Sequence, residues 1–512
     1  MSGFSVGIDV GGTFTDLIAI APDGRVDARK VLSTPRDQSE GVLDALAALG
    51  VAPDVVTHIA HGTTVATNTL LERTGAHVVL CATAGATDLL ELRRQDRASL
   101  YDLTRHHSEP LVPHERVVAV AERVEPQGIS RALDAAAIAH VVHHALASKP
   151  PVIAIALLHA YHEDRHERTL GAALRPHADV VLSSEVLPEI REYERTATTI
   201  AEAYLRPSVA TYLTRLGKYL EASGYPSPAV MTSAGGMRTA EEAARTAASL
   251  ALSGPAGGVH GAAFVARDAG IRDALTIDIG GTSADAGLVL DGEPLSEPGG
   301  AVAGVPIALP RVLVETVSAG GGSIAWVDAG GALRVGPRSA GASPGPAAFG
   351  RGGTDPTVTD AHVVLGHLDV AHMSGGVTLD PEAALRAVEA VARRLNAPID
   401  RTARAIIALA DAAVARALRR VSVERGVDPR RCALVAFGGG GPLHACALAA
   451  QLGMTRILIP PHAGVLSALG LAIAAERRDV MRSIMRRAEE LSCERFAALC
   501  DDLASRAGGA VS

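Results

Sequence analysis

The chain has 512 residues and a net charge of −8, with 48% hydrophobic and 20% charged residues. This length exceeds what one hydrophobic core supports, so we expect several domains of ordinary globular composition. The acidic balance argues against nucleic acid as a partner, because phosphate backbones are bound by basic surfaces. The five cysteines form no CxxC pair, which fits a reducing compartment and argues against a zinc or iron–sulfur cluster.

The first residues pass directly from Met-Ser-Gly into a strand-like run, with no cationic segment followed by an apolar leader. No apolar stretch reaches the roughly 18 residues that span a bilayer. We therefore expect a cytoplasmic protein with no membrane partner.

Two ten-residue segments of the chain repeat each other. Residues 7–16 read GIDVGGTFTD and residues 276–285 read TIDIGGTSAD, so Ile, Asp, Gly, Gly, Thr and Asp recur in register. Each segment joins two apolar, β-rich runs through a glycine turn, which is typical of a β-hairpin. Two distant copies indicate a duplicated domain rather than a solenoid.

Strands and helices alternate between and after the two copies, as in an α/β protein. The pattern predicts strands at 55–61, 77–83, 151–159 and 432–437, and helices at 132–148, 191–205, 381–394, 402–423 and beyond about residue 480. Pro207, just past the helix at 191–205, is interpreted as marking a boundary. We expect a first lobe at 1–195, a second lobe at 196–480 and a short helical tail at 481–512.

The first repeat carries residue types that suit phosphate and metal binding. Gly11 and Gly12 let the backbone turn tightly and approach an anion, and exposed N–H groups at such a turn attract phosphate oxygens. Thr13 can add a hydroxyl donor. Asp9 can hold Mg²⁺ through water, because this ion keeps several waters and takes few carboxylates.

The second repeat offers the same set from another part of the chain, namely Asp278, Gly280, Gly281 and Thr282. Two opposed hairpins that grip the phosphates and their metal would form a phosphoryl-transfer site. The alternative is that each DxGG string is an ordinary tight turn. Its recurrence in matching strand contexts favours the functional interpretation.

A third glycine-rich element follows the strand predicted at 432–437. Gly439, Gly440 and Gly441 precede Pro442 at a helix start, where a nucleoside could lie against the backbone. Neither GxxxxGK[ST] nor GxGxxG after the first strand is present, which argues against a P-loop or a dinucleotide fold. The order of the three elements is similar to that in actin-like, hexokinase-like and sugar-kinase-like ATPases. That resemblance implies two RNase-H-like α/β lobes around a nucleotide cleft.

Longer strings resemble the A-type subunit of the hydantoinase/5-oxoprolinase family, whose members include N-methylhydantoinase and the acetone carboxylase ATPase subunit. They are HGTTVATNTLLERTGA (61–76), ELRRQDRASLYDL (91–103), PEIREYERTATT (188–199), LSGPAGGVHGA (252–262), the loop at 318–353 and GVLSALGLA (464–472). Family members continue into a further C-terminal domain, so we expect that domain to be missing or shortened here.

The resemblance implies a hydrolase that uses ATP and Mg²⁺ to open a cyclic amide, such as a hydantoin or 5-oxoproline, by phosphorylating its carbonyl. It implies a small cyclic amide or ketone as substrate and a B-type subunit as partner, and leaves a homo-oligomer open. Two alternatives are an ATPase subunit of an acetone-carboxylase-like enzyme and a non-enzymatic, actin-like ATPase switch. The long polar strings away from the glycine turns favour an enzyme.

The resemblance also assigns roles to residues outside the two repeats. The expected catalytic residues are His61, Thr64 and Asn68 beside Asp9 and Asp278; the substrate-binding residues are Thr63, Arg93 and Arg94; and Gly254 and Gly257 approach the nucleotide. The alternatives are that the threonines and the asparagine cap a helix, and that the arginines lie on a solvated face. Two histidine clusters, at 140–144 and 159–166, are interpreted as surface or core residues rather than metal ligands.

Overall fold

The computed structural model of the protein describes residues 3–12, 14–34, 37–371 and 378–508. Its elements up to residue 268 are the strands β1 Phe4–Val10, β2 Phe14–Ile20, β3 Val26–Leu32, β4 Val56–Gly62, β5 Val78–Thr83, β6 Val117–Val120, β7 Arg123–Glu125, β8 Gly128–Arg131, β9 Val152–Ala156, β10 Asp179–Leu182, β11 Ala229–Met231 and β12 Met237–Thr239. The helices of this part are α1 Gln38–Leu49, α2 Val65–Glu72, α3 Leu89–Leu92, α4 Ala135–Leu146, α5 Arg165–Leu174, α6 Ser183–Val186, α7 Glu192–Ala222, α8 Ala240–Arg245 and α9 Ser253–Asp268.

The rest of the chain continues the alternation. Its strands are β13 Ala274–Ile279, β14 Ala284–Leu290, β15 Glu293–Pro294, β16 Ser296–Glu297, β17 Gly300–Val302, β18 Val305–Ile307, β19 Arg311–Val312, β20 Val314–Val317, β21 Ser323–Val327, β22 Leu333–Ser339, β23 Ala433–Phe437 and β24 Ile457–Leu458. Its helices are α10 Val358–Val364, α11 Pro381–Leu395, α12 Ile399–Val421, α13 Gly441–Leu452, α14 Leu466–Ile473 and α15 Cys493–Arg506.

The first repeat forms an antiparallel hairpin, β1 with β2, inside a sheet of order β3-β2-β1-β4-β11-β12. β4 lies parallel to β1, and β11 lies parallel to β4. β11 and β12 follow residue 195 in the chain, and α7 passes through that residue without a break. This sheet therefore contains strands from both sides of the predicted lobe boundary. The division into domains stays a prediction.

The second repeat forms the hairpin β13–β14 in a sheet of order β15-β14-β13-β23-β24, to which β20 adds beside β14. β23 is parallel to β13, as β4 is to β1. The pairing registers also agree, because Asp9 lies opposite Asp16 and Asp278 lies opposite Asp285. Both predicted hairpins are confirmed, and they occupy equivalent positions in two similar sheets.

A third, fully parallel sheet of order β10-β9-β5-β6 contains the predicted strands at 77–83 and 151–159. Every residue of β5 and β9 is buried, as the continuous apolar runs indicate. Helices α4 and α5 pack on this sheet around Val141 and Leu170.

Helices α9 and α14 pack against each other between the two hairpin sheets. Glycine permits this close approach: a methyl group at Gly7 of β1 would overlap the backbone of Ala468, and one at Gly470 would overlap the backbone of Gly257. The hydroxyl of Ser5 donates to the carbonyl of Ala472 at 3.0 Å. The first strand is therefore fixed to a helix from the far end of the chain.

The predicted end of the helix at residue 205, before Pro207, is wrong, because Pro207 lies inside the 31-residue helix α7. A proline within a helix costs about 3 kcal/mol. Leu205, Val209 and Leu213 are all buried on one face of α7, on both sides of the proline, and this packing offsets that cost. Among the described residues, no helix combines the length and apolarity needed to cross a membrane.

Candidate functional site

A cavity of about 780 Å³ opens between the two hairpin sheets. It is bounded by both repeated turns, by residues 301–303 and by the segment 463–467 that leads into α14. The residues expected from the sequence that line this cleft are Asp9, Gly11, Gly12, Thr63, Thr64, Asn68, Gly254, Asp278, Gly280, Gly281, Thr282 and Gly439. Segments separated by more than 400 residues in the chain thus meet at one site.

The two glycine turns close in the same way. The N–H of Gly11 donates to the carbonyl of Phe14 at 3.0 Å, and the N–H of Gly280 donates to the carbonyl of Ser283 at 3.0 Å. Gly12 and Gly281 lie exposed at the tips of the turns. Each turn therefore presents backbone at the cleft in the manner that suits an anion. Thr13 lies outside the described residues.

Four aspartates line the cleft, two from each hairpin. Burial raises the pKa of Asp278 to about 8 and that of Asp9 to about 7, and repulsion among the four carboxylates adds to both shifts. Burial also raises the pKa of Asp285 to about 6 and raises that of Asp16. Like charges placed opposite each other across a strand pair are destabilising. The cleft is consequently an anionic site that a bound cation would stabilise.

The two outer aspartates have different partners on the neighbouring strand. Lys30 Nζ lies 2.6 Å from Asp16 Oδ1 and also donates to the carbonyl of Gly464 at 3.1 Å. In the second sheet, Thr316 donates to Asp285 at 2.5 Å. Asp16, Asp285 and Lys30 were not among the expected site residues. The recurrence of the second aspartate in each repeat was the signal that could have identified two of them.

Glycines pack closely against the two inner aspartates, Asp9 and Asp278. A methyl group at Gly62 would lie 2.9 Å from Oδ1 of Asp9, and one at Gly438 would overlap Oδ1 of Asp278. Gly438 has φ of +78°, a conformation that side-chain-bearing residues rarely adopt, and its N–H donates to the carbonyl of Ala463 at 2.9 Å. The backbone therefore packs directly against both carboxylates, and only glycine is accommodated at these two positions.

The donor set suits a hard cation such as Mg²⁺, which prefers carboxylate oxygen, phosphate oxygen and water. Within the described ranges, no group of three or more His, Cys, Asp or Glu side chains is placed to hold a metal by itself. The histidines at 140, 143 and 144 lie exposed on α4, and His166 is buried in a 2.7 Å pair with Glu122.

The first turn of α2 forms one wall of the cleft. Because Gly62 lies opposite Asp9 in the β1–β4 pair, Thr63 and Thr64 emerge beside that carboxylate. The side chain of Thr64 accepts no backbone N–H of α2, although it is the residue that caps the helix. It instead accepts hydrogen bonds from the amides of Gln38 at 3.3 Å and Asn68 at 3.4 Å. The capping alternative therefore does not describe the side chains of Thr64 and Asn68, whereas Thr63 does accept the N–H of Val65, the first residue of α2, at 3.2 Å.

Several expected site residues do not line the cleft. His61 is paired with the core residue Ile8 and is 1% exposed; its Nε2 lies 2.8 Å from the hydroxyl of Tyr212, and burial lowers its pKa to about 4. Gly257 contacts α14, and Gly440 donates from its N–H to the carbonyl of Ile279 at 2.8 Å. Because alternate side chains of a strand point to opposite faces of the sheet, His61 points into the core. Gly257 and Gly440 allow neighbouring segments of backbone to pack closely against them. Gly441, the first residue of α13, also packs behind the lining.

Arg93 and Arg94 are likewise outside the lining of the cleft. Arg93 donates to the carbonyl of Ser108, and Arg94 Nε lies 2.7 Å from Glu194 Oε1 with half of its side chain exposed. The short helix α3 leads this segment toward the start of α7 rather than toward the hairpins. The structure thus does not bring the expected substrate-binding arginines together with the aspartates.

Residues 5–178 match the family model described as the hydantoinase/oxoprolinase N-terminal region, and residues 195–480 match the hydantoinase/oxoprolinase model. The chain is 36% identical to caprolactamase subunit alpha of Pseudomonas jessenii, over 95% of this chain and 72% of that one. It is 32% identical to the acetophenone carboxylase gamma subunit of Aromatoleum aromaticum, over 92% and 68% of the two chains.

The crystal structure of the ATP-dependent caprolactamase from Pseudomonas jessenii superposes with a TM-score of 0.86 at 35% identity, covering 98% of this chain and 75% of that one. The predicted α/β fold with two related sheets around a cleft is thereby confirmed. On these matches along nearly its whole length, the chain belongs to the hydantoinase/oxoprolinase family.

Proposed function

We propose that this chain binds Mg-ATP in the cleft between the two hairpin sheets and uses it to open a cyclic amide. The observation that carries the proposal is the set of four carboxylates with raised pKa values beside two backbone turns in one cavity. A cation can replace the protons that neutralise such a site, and the turns suit the phosphates that would bring Mg²⁺. The similarity to an ATP-dependent caprolactamase supports the same chemistry.

In this proposal Asp9 and Asp278 would hold Mg²⁺, and the ion would supply positive charge opposite the transferred phosphoryl group. The turns at Gly11, Gly12, Gly280, Gly281 and Thr282 hold the phosphates. Gly254 and Gly439 leave room for the nucleotide, which lies between α9 and the loop before α13.

The proposed reaction makes a poor electrophile reactive. The amide oxygen attacks the γ-phosphorus and ADP leaves; water then adds to the carbonyl carbon, and the ring C–N bond breaks as nitrogen takes a proton. Hydrolysis of the resulting acyl phosphate releases phosphate. ATP, the cyclic amide and two waters thus give ADP, phosphate and the ring-opened amino acid. Thr63, Thr64 and Asn68, on the wall beside Asp9, orient the amide for this attack.

A second candidate is favoured by one observation, the similarity to the acetophenone carboxylase gamma subunit. In that case the same cleft activates a ketone or bicarbonate for carboxylation. The two candidates differ in product: a carboxylated ketone appears only with bicarbonate, whereas ring opening needs none.

We further propose that the chain works with a B-type subunit, because both relatives are named as subunits. Leu100, Tyr101 and Leu103 form a short apolar run whose side chains are 67%, 93% and 75% exposed. An exposed apolar run of this kind indicates a surface that another protein covers. Co-expression with a candidate B-type subunit should give a complex that Leu100→Asp weakens.

The central test measures Mg-ATP binding by calorimetry and ADP release with hydantoin, 5-oxoproline or acetone, with and without the B-type subunit. We expect a cyclic amide to stimulate ADP release. Asp9→Asn should lower that rate by roughly two to three orders of magnitude, since it removes a preorganised charge at the phosphoryl group. Asp268→Asn, an exposed carboxylate on α9, is the matched control. Absence of any heat with Mg-ATP would refute the proposal.

A further inference from the structure

One part of the cleft lining belongs to neither repeated hairpin. It consists of Asn68 and Leu71 on α2, Leu252 just before α9, and residues 301–303 on and after β17, and it is called the α2–β17 wall here. β17 contacts α2, so these segments meet at the cleft. The wall is mostly apolar, and a charge beside it therefore has a large effect on which ligand binds there.

Arg311 places a cation beside this wall. It lies in the lining of the cleft, with its side chain 17% exposed. A methyl group at Gly300, the first residue of β17, would overlap Cζ and Nη2 of Arg311, so the guanidinium lies directly against that strand. Arg311 was not among the site residues expected from the sequence, because neither a repeat nor a glycine turn marks it.

Glu297 holds the guanidinium in place. The two residues lie opposite each other in the β16–β19 pair. Nε of Arg311 donates to Glu297 Oε1 at 2.7 Å, and Nη2 lies 2.6 Å from the same oxygen. Nη1 forms no hydrogen bond with any described residue, and it is not among the enclosed polar atoms that lack partners. Because a guanidinium is planar and rigid, these contacts fix the direction of the donors that remain free.

The carboxylate that holds Arg311 does not cancel its charge. Glu297 Oε2 accepts from Nη2 of Arg425 at 2.8 Å, so one carboxylate is shared by two arginines. Two positive charges thus face one negative charge. Of these three residues, only Arg311 lines the cleft. The excess positive charge is therefore available at the cleft.

The other charges of the described lining leave Arg311 without a counter-ion there. Lys30, the second cation of that lining, is paired with Asp16, which lines the same cleft. Glu315, the acid of the lining that is closest to Arg311 in the chain, is paired with Arg420. An anion that enters beside the α2–β17 wall thus gains a charge-assisted hydrogen bond from a fixed donor.

We propose that Arg311 is a specificity-determining residue, and that it binds a carboxylate-type oxyanion of the molecule that ATP activates. The inference rests on the proposed function, which places that molecule in the same cleft, and it narrows which molecules fit. A planar O–C–O group matches the planar guanidinium. The group is either a carboxylate carried by the substrate or the bicarbonate of the carboxylation candidate, since both have this chemistry.

Ligand-observed NMR tests the proposal with 5-oxoproline, 2-pyrrolidinone and isotope-labelled bicarbonate, each with Mg²⁺ and a non-hydrolysable ATP analogue and again without nucleotide. 5-Oxoproline is 2-pyrrolidinone with one added carboxylate. We expect wild type to bind 5-oxoproline or bicarbonate, and Arg311→Gln to weaken that binding at least about tenfold, the value of a hydrogen bond to a charged group. Binding of 2-pyrrolidinone should not change, whereas a residue that only supports the fold would affect both ring probes alike.

A second variant moves the guanidinium and keeps every charge. Gly300→Ala places a methyl group where the end of Arg311 now lies, and that flexible side chain gives way. It should weaken the same anionic probe about fivefold without changing Mg-ATP binding, and it decides the question if Arg311→Gln does not fold. Arg272→Gln is the matched control, because it removes an exposed arginine that pairs with Asp291 outside the cleft. No probe should respond to it.

The outcomes keep the inference and the proposed function apart. If Mg-ATP binds in calorimetry but neither anionic probe responds to Arg311→Gln or Gly300→Ala, Arg311 is not an anion site and the nucleotide cleft stands. If Mg-ATP does not bind but an anionic probe, measured without nucleotide, still responds to both variants, the anion site stands and the ATP-dependent reaction falls. A response of 5-oxoproline assigns the oxyanion to the substrate ring, and a response of bicarbonate alone assigns it to carboxylation.

Discussion

Replacing Asp278 with Asn should make the ligand-free protein more stable at alkaline pH while it removes ATP hydrolysis. The pKa of this carboxyl is about 8 in the fold and 3.8 as an ordinary side chain. Between these values the folded state keeps a proton that the unfolded state has released, so stability falls as pH rises through this window. Asparagine does not titrate, so it lacks this pH dependence. The free energy of unfolding of Asp278→Asn, relative to that of wild type, should therefore increase from about pH 4 to about pH 8.

The size of the effect follows from the shift. Four pKa units at about 1.4 kcal/mol each set an upper limit near 6 kcal/mol. The gain from Asp278→Asn is smaller than this limit, because water that enters the cleft screens part of the charge of Asp278. Asp9, Asp16 and Asp285 also titrate together with Asp278, so removing one charge changes the protonation of the other three. We therefore expect about 2 kcal/mol at pH 8.5, which raises the unfolding temperature of a chain of this length by roughly 2 °C.

The assay is thermal unfolding of wild type, Asp278→Asn and the control Asp268→Asn at pH 5 and pH 8.5, without nucleotide and with a chelator. Saturating Mg-ATP should then stabilise wild type and leave Asp278→Asn unchanged, since only a protein that binds the ligand gains from it. A variant destabilised equally at both pH values would show that Asp278 is a packing residue and would refute the electrostatic reasoning.

Further predictions concern the same cleft. Mg-ATP binding at pH 7 should release protons, because Asp9 and Asp278 are partly protonated beforehand; binding heats that do not depend on the buffer's ionisation enthalpy would contradict this. Lys30→Gln should move the midpoint of Mg-ATP binding to higher pH, since Lys30 lowers the pKa of both aspartates. Gly438→Ala should weaken ATP binding about tenfold or more in calorimetry, because its φ of +78° and the contact with Asp278 leave no room for a methyl group. Arg94→Ala should leave ATP hydrolysis unchanged, and a large loss would restore it as a substrate residue.

Local signals were sufficient to predict the turns of the cleft. A hairpin is specified by a short stretch of chain, so the repeated DxGG strings predicted both turns and their aspartates. The same strings contained Asp16 and Asp285, whose importance depends on cross-strand register and on partners from other strands, Lys30 and Thr316. The pairing register within each hairpin could be predicted from the sequence. The residue that faces each outer aspartate from the next strand, Lys30 or Thr316, could not.

Long-range features were harder to predict. β11 has only three residues, too few to show a periodic pattern in the sequence. It nevertheless forms a strand of the first sheet, because it pairs in parallel with β4. Pro207 indicated a helix end, whereas tertiary packing on both sides keeps α7 intact. Arg93 and Arg94 are cationic side chains of the kind that bind an anionic substrate, which is why the sequence favoured them as substrate-binding residues. The neighbouring sequence does not specify that α3 directs them away from the aspartates. Their direction depends on contacts with α7.

The contact between β1 and α14 has a consequence for biosynthesis. β1 leaves the ribosome before α14, and Ser5 and Gly7 find their partners on α14 only after residues 468–472 have been translated. The nascent chain must therefore keep the face of β1 that α14 will cover unpaired until that point. Such non-local closure slows folding and favours chaperone engagement. A truncation before residue 466 should leave the first glycine turn without its support, even though every residue of that turn is present.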